Sequence, residues 1–297
     1  MIHKTVLLNE VINGLAINPR DVIVDGTLGG GGHSEAIAKI FGSGMRIIGL
    51  DLDQDALYRA RMRLDALTTN TSFYNTSFRN LDEVLDDLHI PKVHKIIFDL
   101  GLSSNQFEES GRGFSFQKDE PLLMTFKKEL KPDDLTAREI VNNWDEANIA
   151  DIIYGYGEEM YSRRIAKKIV EKRKIKSIET TFELVEIIKE ATPFWYHHRK
   201  IHPATKTFQA LRITVNDEIG SLKEGVKRGF ERLEKAGRFA IISFHSLEDR
   251  IIKHYFKEKF DNKEGILVTK KPIVPSHSEI DENPRARSAK LRIIEKI

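Results

Sequence analysis

The most constraining feature of this chain is the segment VIVDGTLGGGGH, residues 22–33, in which a β-branched run ends in Asp25 and leads into four consecutive glycines, Gly29–Gly32. Glycine has no Cβ, so such a run lets the backbone turn sharply and approach a ligand closely. The segment Ser34–Phe41 reads as a helix, which aims its N-terminal amides at whatever the loop cradles. A second strand-like run, 46–50, then ends in another acid, Asp51. Strand, glycine loop, helix, strand and acid together outline a nucleotide-cofactor site on a doubly wound α/β sheet.

The loop departs from two familiar phosphate-binding patterns. A P-loop closes with Gly-Lys-Ser/Thr, whereas here His33 and Ser34 follow the glycines. The dinucleotide fingerprint G-x-G-x-x-G, started at Gly29, needs glycine where Ser34 stands; started at Gly26, it needs one at Leu28. A carboxylate placed before the first turn suits a cofactor that carries positive charge and no pyrophosphate. S-adenosylmethionine has a sulfonium, an ammonium and a ribose whose two hydroxyls an acid such as Asp51 can hold. The plain alternative is a tight strand-to-helix connection with no ligand, but four glycines cost conformational entropy without helping packing.

Strand-like runs recur at 22–25, 46–50, 71–75 and 93–99 with helical patterns between the first few, which predicts a mostly parallel sheet with crossover helices. The fourth strand ends at Asp99, followed by Leu100, Gly101, Leu102, Ser103 and Ser104. The next strand-like run lies far along the chain, at 238–243, and an ordinary crossover does not need that much chain. The intervening stretch therefore reads as an inserted domain. Residues 133–192 carry helical periodicity and capping signals, so the insert is expected to be all helical. We place a discontinuous core at 1–115 and 203–297 and the insert at 116–202. A long helix, 205–235, is expected to lead back into the core, with Gly237 as its stop. A helix at 247–260 and strand-like runs at 266–269 and 290–295 complete the core, the last two as a closing antiparallel pair.

Composition narrows the function classes. Of 297 residues, 40% are hydrophobic and 31% charged, the balance of a globular protein, and net charge is only +2. No run approaches the roughly 20 apolar residues of a membrane span, and MIHKTVLLNE lacks a signal-peptide core. The absence of cysteine excludes disulfides, thiolate nucleophiles and cysteine zinc sites. A cytoplasmic location is the expectation.

Three further segments could carry chemistry. Ligands in open α/β sheets bind beyond the carboxyl ends of the strands, so Asp25, Asp51 and Asp99 are expected to converge on one crevice; each alone could equally cap a helix. In Ser243-Phe244-His245-Ser246-Leu247-Glu248-Asp249-Arg250, Ser246 is expected to cap the following helix, with Asp249 completing a variant capping box. His245 is a candidate for substrate contact or proton handling. A hydrolase elbow needs G-x-S-x-G, which is missing. The third feature is local basic charge. Arg163, Arg164, Lys167, Lys168, Lys172, Arg173, Lys174 and Lys176 are offset only by Glu171. The block PFWYHHRKIHPATKTF mixes rings with Arg199, Lys200 and Lys206, and NPRARSAKLR adds Arg285, Arg287, Lys290 and Arg292. One such run is ordinarily a solvated face; three on a nearly neutral chain point to nucleic acid. His197, His198 and His202 lack a clear carboxylate partner nearby, so no metal is assigned.

From end to end the chain closely resembles the bacterial ribosomal RNA small-subunit methyltransferase H family, also called MraW. The matching segments are HKTVLLNEV (3–11), DGTLGGGGHS (25–34), DLGLSSNQ (99–106), RGFSF (112–116), YGEE (156–159), HPATKTFQALRITVN (202–216), ISFHSLEDR (242–250) and NPRARSAKLR (283–292). The resemblance implies a class I S-adenosylmethionine-dependent methyltransferase, Rossmann-like with a seven-stranded sheet and an inserted helical domain for RNA recognition. It implies N4-methylation of a cytosine in the decoding region of 16S rRNA, S-adenosylhomocysteine as product, and the small ribosomal subunit as partner. Carried over position by position, its cofactor contacts fall on Gly31, Gly32, His33, Asp51, Phe78, Asp99 and Gln106. The expected chemistry is direct transfer without a metal, with Asp99 and the turn after it supplying acceptors to the target amine and His245 lining the pocket. One stretch departs from the family: where it usually reads Pro-Leu-Asp-Met-Arg-Met-Asp, this chain has Pro121-Leu122-Leu123-Met124-Thr125-Phe126-Lys127. A nicotinamide oxidoreductase and a non-catalytic RNA-binding homologue are the alternatives, and the oligomeric state, a homodimer included, stays open.

Overall fold

The computed structural model describes residues 4–42, 44–67, 70–101, 110–127 and 129–297. The chain forms two compact units, Met1–Gly101 with Ile219–Ile297, and Leu102–Glu218.

The first unit is built on a seven-stranded sheet. Its strands are β1 (Val22–Asp25), β2 (Arg46–Leu50), β3 (Asn70–Tyr74), β4 (Val93–Asp99), β5 (Leu233–Ser243), β6 (Gly265–Leu267) and β7 (Lys290–Lys296). They lie in the order β3-β2-β1-β4-β5-β7-β6. The first five are parallel, and β7 runs antiparallel to both β5 and β6. This is the seven-stranded, mostly parallel sheet expected. Strands β1, β2 and β4 are nearly continuous apolar runs because both faces are covered: Ile23, Ile47 and Ile97 pack into one apolar cluster, and Val24, Ile48, Ile96 and Phe98 into another. Burying a side chain of this size contributes roughly 1.5–3 kcal/mol.

β5 begins five residues earlier than the apolar pattern indicates. Val93 pairs with Leu233, the register shifts, and pairing resumes at Lys95 with Arg238. Ala236, at φ 58°, sits in the bulge that absorbs the extra residues.

The second unit contains helices Ala137–Asn143, Glu146–Gly155, Ser162–Arg173, Thr181–Ala191, Phe194–His197 and Thr205–Asn216. Thr180 and Glu183 close a capping box at the start of Thr181–Ala191. The only β pairing among its described residues is the bridge Pro121–Thr180. The single helix expected at 205–235 is two, Thr205–Asn216 and Glu218–Arg232, because Asp217 adopts the left-handed conformation at φ 45°. Aspartate tolerates that region better than most residues, and periodicity alone does not reveal it. Ala204, Phe208, Ala210 and Leu211 are buried in the helical core, so the contact boundaries fall at 101/102 and 218/219 where the sequence suggested 115/116 and 202/203. Among the described residues no helix is long and apolar enough to cross a membrane.

Candidate functional site

The glycine loop ties three strand ends together. Asp25, the last residue of β1, is 2% exposed and accepts a hydrogen bond from Ser34 Oγ at 2.7 Å. Gly26 N–H donates to the Ile97 carbonyl of β4 at 2.9 Å, and a Cβ there would meet the Phe98 ring at 2.3 Å. Asp99 N–H, at the end of β4, donates to Thr27 Oγ1 at 2.5 Å. Leu28 N–H reaches the Leu50 carbonyl of β2, and Gly29 N–H reaches Asp51 Oδ2 at 2.7 Å. Gly29 and Gly31 have φ of 52° and 79°, open to glycine at little cost. Gly31 then caps the helix Gly32–Phe41. A Cβ on Gly32 would fall 2.1 Å from Thr5 Oγ1, so that glycine is required by close approach.

Around this loop sit more carboxylates than the protein satisfies internally. Burial pushes Asp25 up from the ordinary carboxylate range, against the opposing Ser34 hydrogen bond, and the nearby Asp99 charge pushes it further. Asp51 is raised to about 6 by burial, although the Asp53 and Gly29 amides stabilise its ionised form. The charges of Asp53 and Asp25 raise it further. Mutual repulsion among buried acids is relieved by a bound cation. Asp99 Oδ2 lies 3.5 Å from His33 Nε2, and His33 is 5% exposed. Asp99 Oδ1 and both His33 ring nitrogens are buried without a hydrogen-bond partner among the described residues. Such atoms are costly unless a ligand satisfies them.

Five of the expected cofactor residues, Gly31, Gly32, His33, Asp51 and Asp99, therefore belong to one network. Phe78 stands in a single turn, Phe78–Asn80, after β3. Its ring packs 4.6 Å from that of Phe98, and a Cβ on Gly225 would meet it at 2.4 Å. That ring is thus partly committed to the core. Gln106 lies outside the described residues. Ser34, which bonds the central Asp25 carboxylate, and Thr27, which holds the backbone at Asp99, give no signal in the sequence because a lone hydroxyl in a loop carries no pattern.

The sequence matches the MraW methylase family from residue 1 to residue 297. The chain belongs to that family. It is 44% identical to the ribosomal RNA small subunit methyltransferase H of Brevibacillus brevis, covering 99% of this chain and 98% of the relative. It is 47% identical to the protein of the same name from Acetivibrio thermocellus, with 99% of each covered. The solved structure of an rRNA methylase from Streptococcus thermophilus matches with a TM-score of 0.47 at 14% identity, covering 100% of this chain and 99% of the other. Membership makes the chain a methyltransferase of the rRNA small-subunit group.

Several motifs shared with the MraW methylases prove to be structural ties. His245, not Ser246, caps the helix Ser246–Asp261, and its box partner is Glu248 rather than Asp249. Glu248 Oε2 accepts from the Phe244 and His245 amides at 2.8 and 3.3 Å, and its Oε1 lies 3.1 Å from His245 Nε2. The register is one residue earlier because the chain is still extended at His245, where φ is −140°. His245 lies just beyond Ile242, the β5 partner of Asp99, and so stays at the same sheet edge.

Asp249 instead accepts from Arg292 Nε at 2.7 Å and Lys290 Nζ at 3.1 Å. Burial alone would raise its pKa, but those two cations outweigh it and hold it below the ordinary range. Two of the four cations in the tail motif are thereby spent on tying the helix Ser246–Asp261 to β7. The histidines of the 194–206 block do not form a metal cluster among the described residues. His197 Nε2 is 2.9 Å from Thr192 Oγ1, and His202 stacks on Phe116 at 4.5 Å.

The divergent segment 121–127 is built into the helical unit. Leu122, Met124 and Thr125 are buried, and Met124 has φ 55°. Asn216 clamps it, accepting from Phe126 N–H and donating to the Met124 carbonyl, both at 2.8 Å. Arg112 donates to the Phe126 carbonyl at 2.8 Å.

Proposed function

We propose that this MraW-family chain transfers the methyl group of S-adenosylmethionine to the N4 amine of a cytosine in the decoding region of 16S rRNA. The observation that carries the reading is the set of strand-end acids laced through the glycine loop, with the buried Asp99 Oδ1 lacking a partner among the described residues. Family membership supplies the rRNA substrate class.

The residues fit the cofactor's chemistry. Asp51, as a carboxylate, has acceptor capacity for the two ribose hydroxyls beyond its bonds to Gly29 and Asp53. The acid cluster favours the sulfonium and ammonium charges, and the loop amides and helix start hold the ligand without side-chain bulk. When bound, S-adenosylmethionine supplies an electrophilic methyl.

The amine of cytosine is a poor nucleophile because its lone pair is delocalised into the ring. Asp99 Oδ1 accepts one amine hydrogen and so localises the pair for in-line attack. Bound S-adenosylmethionine would give up the methyl and keep the C–S electron pair, and the amine's surplus proton would leave through the Asp99 carboxylate toward solvent. His245 lines the pocket edge, held by Glu248. Reaching this edge requires an unstacked base, which suits single-stranded or flipped RNA. The enzyme works in the cytoplasm, where small subunits are assembled.

Incubation with labelled S-adenosylmethionine and undermodified small subunits, followed by mass-spectrometric mapping, tests the reading. A methyl on N4 of a decoding-region cytosine supports it; label on another atom or none refutes it. Cofactor binding without transfer would favour a non-catalytic homologue, a reading for which the packed, divergent segment 121–127 is the specific motive.

A further inference from the structure

Sequence alone offers three basic clusters as RNA contacts, and the structure ranks them. In two of them half of the cations are spent internally. Besides the tail motif held by Asp249, the helix Ser162–Arg173 commits Lys168 and Lys172 to Glu190, at 3.2 and 2.8 Å. Just beyond it Lys176 pairs with Glu183 at 2.5 Å, and Arg173 donates to the Val141 carbonyl at 2.9 Å. A cation so engaged releases fewer counterions on meeting a phosphate.

The third cluster has the opposite character. Phe194 is 76% exposed and Trp195 56% exposed, side by side on the short helix Phe194–His197. The Trp195 ring lies 6.5 Å from Tyr161, which in turn lies 5.1 Å from Tyr196. Guanidinium groups flank the row: Arg164 is 5.5 Å over Tyr161, and Arg199 is 5.3 Å over Tyr196. Beside it, Tyr196, Arg199, Lys200, Ile201, His202 and Lys206 line a recess that contains no carboxylate. Arg199 and Lys200 are exposed and have no acidic partner among the described residues. From below, the row is held rigid: fully buried Glu159 accepts from the Tyr196 hydroxyl at 2.6 Å and from Tyr161 N–H at 2.9 Å. Large exposed rings are costly in water, and rings flanked by unpaired cations match the two requirements of single-stranded nucleic acid, stacking and phosphate neutralisation.

We propose that Phe194 and Trp195, backed by Tyr161 and flanked by Arg164, Arg199 and Lys200, form a base-stacking surface for a single-stranded stretch of RNA other than the target nucleotide. The inference rests on the RNA reading above and assigns a second point of contact to it. It also gives a role to Glu159, the last residue of the YGEE motif: a buried positioning residue that fixes two rings beneath the stacking surface.

The test uses the full chain and a fluorescently labelled pyrimidine oligonucleotide of roughly 12 residues, within the site size typical of such surfaces. Phe194→Ala with Trp195→Ala should bind it about 5- to 100-fold more weakly at fixed salt, with calorimetric affinity for S-adenosylmethionine unchanged. Arg199→Gln with Lys200→Gln should reduce the slope of log K against log salt by about 1.4. Equal RNA affinity in the wild type and the ring variant overturns the proposal while leaving the methyltransferase reading intact. Ring-dependent binding to whole small subunits without any oligonucleotide binding also overturns it, since the surface would then face protein. Absence of transfer to subunits by a cofactor-binding wild type would refute the methyl-transfer reading, an outcome separable from both.

Discussion

Asp51 offers the sharpest link between the electrostatics of the site and a binding measurement. Its folded pKa of about 6, against an ordinary 3.8, means that near-neutral buffers populate mostly the carboxylate and mildly acidic buffers do not. Only the carboxylate can accept from both ribose hydroxyls while keeping its bonds to the Gly29 and Asp53 amides. Apparent affinity scales with the competent fraction, so the Kd for S-adenosylmethionine should rise roughly tenfold between pH 7 and pH 5. That window lies below the titration of the ligand's own α-amino group. Asp51→Asn should bind more weakly at pH 7 and lose most of the pH dependence. The effect on stability has the opposite sign to that of a salt-bridged acid. A raised folded pKa contributes stability while the group is protonated, and that contribution is lost as pH climbs from about 4 to 6 in the cofactor-free protein. The full penalty on the ionised form is about 3 kcal/mol, so the cofactor-free wild type should lose melting temperature across that window relative to Asp51→Asn. Calorimetric titrations at pH 5, 6 and 7 on both proteins decide the matter. A wild-type Kd flat across the range, or an equal slope in the variant, would refute the assignment of Asp51 to the ribose.

Other perturbations probe the rest of the framework. Gly26→Ala drives a methyl against the fully buried Phe98 ring, 2.3 Å away, and should cost about 1–3 kcal/mol in a denaturant melt; an unchanged midpoint would show that Phe98 yields freely. Asp99→Ala should reduce methyl transfer about 100-fold or more at saturating cofactor, and full transfer would remove Asp99 from the chemistry. Asp249→Ala leaves Arg292 and Lys290 without their carboxylate and should cost about 2–3 kcal/mol near neutral pH. Because the folded pKa of Asp249 is depressed, the wild-type advantage should fade as pH drops below about 4; a difference that persisted there would refute the ion-pair account.

The loop and its three acids were legible because they are local: a strand ending in an acid and a glycine run each announce themselves within a few residues. The capping residue before Leu247 was misplaced by one position, since histidine is an uncommon cap and Ser246 a common one. The break at Asp217 was invisible, as a left-handed residue leaves the apolar periodicity on either side intact. Only family resemblance points to Phe78, whose ring is shared with the core through Phe98 and Gly225.

Near neighbours along the chain set the strand and helix patterns, the glycine loop, and the places of Asp25 and Asp51, and the family motifs span the chain. Tertiary structure alone decided how the charges are spent. Asp249 and Lys290 are far apart in sequence, as are Lys168 and Glu190, yet the fold pairs them. Arg199 and Lys200 belong to a cluster of similar composition, yet have no acid beside them among the described residues. Composition counts charges, but a charge acts on a ligand only when the fold has left it unpaired, and pairing is a property of distances that only folding creates.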